Sequence, residues 1–236
     1  MPRARMDPDV KARLLAVTTV EADHRSGRHL IVEQVRRWIF EGLLRDGDVI
    51  SQEDLAEILG TSRIPVRDGL ISLEHGGWVI IEPGIGARAV GLDAAAVRDT
   101  FDLLGHIWCL LIRRVVERDA DTEEIHTASK QVARARTAIQ MTNANQQFVT
   151  ALRGAAHAPR LNAAFQNAGR IVPGDFFATV PHAMPVQRAH VPAMGAAIRA
   201  GDVDDACRLA LSQHATHANN IVALLRRRGV LITTGA

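Results

Sequence analysis

Apolar residues recur along the first third of the chain at the spacing of short amphipathic helices. Val32, Val35, Ile39 and Leu43 fall on one face of a helix that the Gly47-Asp48 pair closes. Leu55, Ile58 and Leu59 give a second helix its apolar face. Ser51, Gln52, Glu53 and Asp54 ahead of it have the form of an N-cap, in which the serine oxygen and the aspartate carboxylate satisfy free N–H groups. Gly60, Thr61 and Ser62 make a tight turn and a new cap, and a third helix runs from about Arg63 to His75. Pro65 lies in its first turn, where a missing N–H costs nothing. Val66, Leu70 and Leu73 form that helix's buried stripe. Trp78 to Ile81 and Ala87 to Val90 are β-rich and flank Glu82-Pro-Gly-Ile-Gly86, a hairpin turn. Three helices and a two-stranded wing predict a winged helix-turn-helix.

The remainder is Ala-rich and helical in period, with breaks near Thr142, Pro159, Pro173 to Pro185 and Gly201. Val97, Phe101, Leu104, Trp108, Leu111 and Val115 repeat at intervals of 4, 3, 4, 3 and 4, and so do Cys207, Leu211, His214, Ala218, Ile221 and Leu225. Phe148 and Leu152, with Asn145 beside them, mark a third seam. Such seams predict an all-α bundle of about six helices. The expected division is an N-terminal arm at 1–27, mobile or loosely helical, the winged domain at 28–91, the bundle at 92–228 and a tail at 229–236.

Composition narrows the class. With 47% hydrophobic and 23% charged residues in 236, the chain is too apolar for wholesale disorder and long enough for a sizeable core. Cys109 and Cys207 are too few for a disulfide framework, and no secretory signal or membrane-length apolar run is visible, so a cytoplasmic protein without a membrane partner is expected. The net charge is +2, but residues 1–90 hold 12 Lys and Arg against 14 Asp and Glu. Nucleic-acid binding by that part must rest on a few placed arginines and not on a general basic field. It implies weak non-specific affinity that falls steeply with salt.

Arg63 and Arg67 are the placed arginines. One turn apart, they share a face other than the buried stripe, beside a helix N-terminus that attracts phosphate. Their guanidinium groups could fork onto guanine O6 and N7 or onto phosphates. The plainer alternative is a solvated face on which they pair with Asp68 or Glu74. Gly84 and Gly86 admit turn chemistry alone, or a wing tip that reaches the minor groove.

The run Leu55-Ala-Glu-Ile-Leu-Gly-Thr-Ser-Arg-Ile-Pro-Val-Arg67, followed by Leu73-Glu-His-Gly-Gly-Trp78, resembles the signature of the GntR family of bacterial transcription regulators. The later helices are similar to that family's FCD subgroup, named after the effector domain of the fatty-acid regulator FadR. The resemblance implies a homodimer on a short, near-palindromic operator, which it releases or grips when a small molecule enters the C-terminal domain; of the two signs of control, a repressor is expected. It makes Ser62, Arg63 and Arg67 recognition-helix contacts and Gly84 and Gly86 wing contacts. Where the family often has a basic or polar residue, this chain has Glu53, an acid that would repel phosphate.

Many FCD domains hold a divalent metal through an Asp and a His four residues apart and two later histidines. The first pair falls here on Asn145 and Val149. The later pair is either His190 and His214, separated by 24 residues, or, in another alignment, Val191 and Gln213. No metal or other cofactor is therefore expected, the alternative being a metal-dependent regulator that uses His190 and His214. His214, on its helix's apolar stripe, is either a core histidine hydrogen-bonded to a neighbour or, with Asn145 and His190, a lining residue of an effector cavity. His217, His157 and His106 read as surface or loosely packed. The Arg and Glu that family members carry on the first bundle helix correspond to Leu104 and Trp108, which implies a less charged or larger effector than hydroxy and keto acids. The rival class is a hydrolase or lyase built on His190, His214 and Asn145. No nucleophile elbow, phosphate-binding loop, dinucleotide fingerprint or His-Glu-Xaa-Xaa-His occurs, so no enzyme is expected.

Overall fold

The computed structural model describes residues 5–18, 27–83, 85–168, 171–172 and 174–232. Asp7 caps the first helix, α1 (Pro8–Val17), accepting hydrogen bonds from the amides of Asp9 and Val10. Met6, Val10 and Leu14 are buried. Part of the arm, expected to be mobile or loosely helical, is thus a capped helix, and its signal was the Asp-Pro pair at its start. The rest of the arm, 1–4 and 19–26, lies outside the described residues.

Helix α2 (Gly27–Glu41) buries Ile31, Val35, Trp38, Ile39 and Phe40. Its inner face is set by Ile31 and not by Val32, and it stops at Gly42 (φ +75°) well before Gly47. Helices α3 (Gln52–Ile58) and α4 (Arg63–His75) follow, with Val66, Leu70 and Leu73 buried as expected. α2 and α4 meet at Gly69, where an added Cβ would lie 2.6 Å from Ile31 Cγ2. The wing has three strands, not two. β1 (Val49–Ile50) pairs antiparallel with β3 (Gly86–Ala89), which pairs with β2 (Val79–Glu82), in the order β1-β3-β2. Two residues are too few to show strand alternation, so β1 left no periodic signal.

The chain divides into two compact units, residues 1–93 with 172–174 and 225–236, and residues 94–171 with 175–224. The C-terminal end groups with the first unit for local reasons. Arg228 stacks over Phe40, an added Cβ at Gly42 would meet Val230, and the Ile232 amide donates to the Leu92 carbonyl at 3.0 Å. These contacts involve the tail expected at 229–236 as far as Ile232, and 233–236 lie outside the described residues.

The regular elements among the second unit's described residues are all helices: α5 (Ala94–Glu117), α6 (Glu123–Arg134), α7 (Ala138–Ala156), α8 (Pro159–Ala168), α9 (Phe176–Thr179), α10 (Ala183–Arg199) and most of α11 (Val203–Arg228). All six seam residues of α5 are buried. No break occurs at Thr142. The chain breaks instead before Thr137, whose hydroxyl accepts from the Gln140 amide while the Gln140 side chain accepts from the Thr137 amide, a capping box.

Candidate nucleic-acid interface and buried polar cluster

The N-terminal turn of α4 is open to solvent. Ser62, Arg63, Ile64 and Arg67 are all exposed. Ser62 occupies the N-cap position, yet its side chain makes no capping hydrogen bond, so the expected serine cap is not formed there. Arg63 Nη2 lies 2.9 Å from Glu53 Oε1 on α3, with both side chains about half exposed (53% and 52%). Neither arginine takes the expected partners on its own helix: Glu74 instead accepts a hydrogen bond from the Ile81 amide. Arg67 makes no ion pair among the described residues. Ile64, 76% exposed, was missed by sequence reasoning. Its signal was available, because a stripe at 66, 70 and 73 turns position 64 outward beside Arg63.

The wing is pinned by charge pairing. Arg88 Nε reaches both carboxylate oxygens of Glu82 at 3.0 and 3.1 Å, and its Nη1 donates to the Gly47 carbonyl at 3.1 Å. Gly86 has φ +126°, and a Cβ there would stand 2.9 Å from the Ile50 carbonyl oxygen. The approach of β1 to β3 therefore requires a glycine whatever else the wing touches. Gly84 lies outside the described residues.

Helix α3 is held from behind by α1. Asp54 does not close a capping box with Ser51. Its own amide donates to Ser51 Oγ at 3.3 Å, while its carboxylate accepts from the Met6 amide (3.0 Å) and from Lys11 Nζ (2.8 Å). Burial pushes the Asp54 carboxyl up, but the bonds from Lys11, Met6 and Ser51 prevail and hold it below its ordinary value. Lys11 also reaches Glu57 at 2.7 Å, and its two carboxylate partners raise its pKa.

In the second unit, Asn145, His190 and His214 are not brought into one direct cluster. Asn145 Oδ1 accepts from Gln187 Nε2, and Gln187 Oε1 accepts from Gln213 Nε2 at 2.9 Å and from His217 Nε2 at 3.2 Å. His190 turns away, with Nδ1 on the Val186 carbonyl (2.9 Å) and Nε2 on Ser212 Oγ (3.3 Å). His214 is buried as its stripe position implied, and its Nδ1 donates to the Ala210 carbonyl at 2.8 Å. His217, expected at the surface or loosely packed, is only 3% exposed. It sits one turn from His214 on α11, so the same amphipathic logic could have placed it inside.

Around these groups stand aromatic rings. Trp108 meets His214 edge-on at 5.0 Å and Phe148 at 5.7 Å, and Phe176 meets His217 edge-on at 5.0 Å. Burial pushes His214 down to about 4, and burial with the neighbouring His214 and His190 pushes His217 down to about 3. Both rings are neutral at pH 7, and the hydrogen bonds fix their tautomers. His217 carries its proton on Nε2, which leaves Nδ1 an acceptor, and His214 carries its proton on Nδ1. His217 Nδ1, Gln213 Oε1 and Trp108 Nε1 are buried without a hydrogen-bond partner among the described residues. The amides Asn145, Gln187 and Gln213 and the valine Val149 do not fit the metal that the resemblance implies, since they bond to one another or cannot ligate. Among the described residues no group of three or more His, Cys, Asp or Glu is placed to hold an ion.

Comparison with known proteins bears on the first unit most directly. Residues 28–88 match the family described as bacterial regulatory proteins, gntR family. An uncharacterized HTH-type transcriptional regulator of Mycobacterium tuberculosis is 21% identical over 204 residues, which covers 86% of this chain and 84% of that protein. The HTH-type regulator YdhC of Bacillus subtilis is 28% identical over 106 residues, covering 45% of this chain and 47% of YdhC. In fold, the chain is similar to Lar, described as controlling expression of the Listeria monocytogenes agr system (TM-score 0.60, 15% identity, covering 86% of this chain and 99% of Lar). It is also similar to a GntR regulator from Rhodococcus sp. RHA1 (TM-score 0.53, 18% identity, covering 83% and 97%). No helix among the described residues is long and apolar enough to cross a membrane.

Proposed function

We propose that this chain, a transcription regulator whose residues 28–88 form a GntR-family DNA-binding domain, binds a short near-palindromic operator as a homodimer, represses from it, and answers to a small molecule held in an FCD-like C-terminal bundle. Its relatives are regulators and not enzymes. The observation that carries the reading is the exposed first turn of α4, which presents Ser62, Arg63, Ile64 and Arg67. A guanidinium there matches the paired acceptors on guanine, and an exposed Ile matches a thymine methyl group. Pairing of two half-sites is what makes a dimer the economical design.

For the effector, the buried cluster supports an uncharged molecule. It contains no charged side chain at pH 7, offers acceptors at Gln213 Oε1 and His217 Nδ1 and a donor at Trp108 Nε1, and is walled by aromatic rings. A free carboxylate placed there would be desolvated without a counter-charge. The working site is thus Asn145, Gln187, Gln213, His214 and His217 with Trp108, and His190 stands at its edge.

Two experiments test this. Selection from a randomised duplex library by the full chain should enrich a short inverted repeat; enrichment of no sequence would end the operator reading. Native mass spectrometry of the purified protein, followed by a denaturing run, should give a metal-free dimer, with any organic mass released on denaturation identifying the effector. Tight, metal-dependent binding of a small dicarboxylate in calorimetry would sink the uncharged-effector reading.

A further inference from the structure

The arginines of the DNA-binding domain are paired in an unusual way. Glu53 holds Arg63, Glu82 holds Arg88, and Arg67 is left without an ion pair among the described residues. The Arg88 pair lies within the wing and braces it. The Glu53–Arg63 pair lies at the open end of the recognition helix, bridging α3 and α4.

We propose that Glu53 is a specificity-determining residue, one that orients Arg63 for a guanine edge and withholds it from phosphates. The proposal rests on the recognition-helix reading given above. A guanidinium offers five N–H donors in a planar fork. The approach to Glu53 is through Nη2, at 2.9 Å, and both side chains are about half exposed, so one carboxylate leaves other donors of the fork for a base edge. The pairing carboxylate offsets the guanidinium's charge, which weakens its attraction to any phosphate, while the donors that remain can still meet the two acceptors of a guanine edge. The carboxylate also cancels the charge that would otherwise release a counterion on any duplex. Glu53 therefore lowers non-specific binding more than operator binding.

A second role competes. Glu53 stands in the first turn of α3, where an acid favours the helix dipole without any help from Arg63. The two roles separate in a double-variant cycle. Wild type, Glu53→Gln, Arg63→Ala and the double variant are titrated, as full chains and at several salt concentrations, against the duplex that wild type selects and against a scrambled duplex of the same length. The expected result is that Glu53→Gln tightens binding to the scrambled duplex by about two- to fivefold, in keeping with an exposed pair. Its salt dependence should steepen by about one counterion. Binding to the selected duplex should gain less or weaken, so that the ratio of the two affinities falls. In the Arg63→Ala background the same change should leave the ratio where it was.

A ratio unchanged by Glu53→Gln while Arg63→Ala still weakens the selected duplex would overturn this proposal alone. So would a fall in ratio of equal size without Arg63, which would mean general repulsion or a helix-end effect. If Arg63→Ala and Arg67→Ala both leave the selected duplex untouched, the recognition-helix reading goes, and this proposal with it.

Discussion

At the residue scale, the side chain with the simplest prospects is Arg67. It is exposed, one turn from Arg63 and free of ion pairs among the described residues, so none of their carboxylates competes with DNA for it. Arg67→Ala should cost about 1–3 kcal/mol of operator binding and relax preference at one base pair, read by titration against single-substitution duplexes. The buried histidines make a prediction of opposite character. His214 and His217 have folded-state values near 4 and 3, below the value near 6.5 that the unfolded chain has. Below about pH 6.5 the unfolded state takes up protons that the folded state refuses, so stability is fully present above that pH and drains away as pH falls. The slope should approach about 1.4 kcal/mol per pH unit for each ring. Thermal unfolding at pH 7.5 and pH 5 should show the loss, and His217→Gln, which keeps a donor for Gln187, should shrink it. Equal pH dependence in the variant would mean that His217 is not buried neutral.

At the scale of elements, two contacts decide whether the winged domain holds its shape. Gly69 lets α2 and α4 touch, and Gly69→Ala forces a methyl group against Ile31. Overpacking of that kind should cost about 1–3 kcal/mol, measurable as an earlier denaturant midpoint. The second contact is α1 on α3. Asp54→Asn removes the charge that Lys11 and the Met6 amide both use, and a buried hydrogen bond to a charged group is worth about 1.5–3 kcal/mol. Because the Asp54 carboxyl lies below its ordinary value in the fold, the contribution is present above about pH 4 and is lost as acid protonates it. Hydrogen exchange at the amides of α1 should speed up in this variant at neutral pH, and wild type should follow it only in acid. These elements were unequally legible. α4 and its stripe were plain in the sequence because Pro65 and the 66, 70, 73 spacing agree. α1 was obscured by the arginines around it, and β1 by its length of two residues.

At the scale of the whole molecule, the consistent theme is uncharged or paired polarity where a charged site would be simplest. Arg63 and Arg88 of the DNA-binding domain are each paired with an acid, and the bundle's interior is furnished with amides and neutral imidazoles. A regulator so built should discriminate by geometry more than by field. Its affinity for scrambled duplex should be low at all but the lowest salt, which fluorescence titration over a salt series would check. Strong binding of scrambled DNA at physiological salt would contradict this reading of the charge balance.

The sequence by itself determined the winged helix-turn-helix, the helical character of the rest and the exposed arginines of α4. Each depends on local period or on a turn residue, and neighbours along the chain carry that information. Tertiary structure decided the partners. Glu53 meets Arg63 across a turn, Asp54 turns to Lys11 from 43 residues earlier, and Gln187 joins Asn145 to Gln213 and His217 from three separate helices. A polar side chain's partner depends on which helices pack together and at what rotation, and a periodic pattern fixes only the face it stands on.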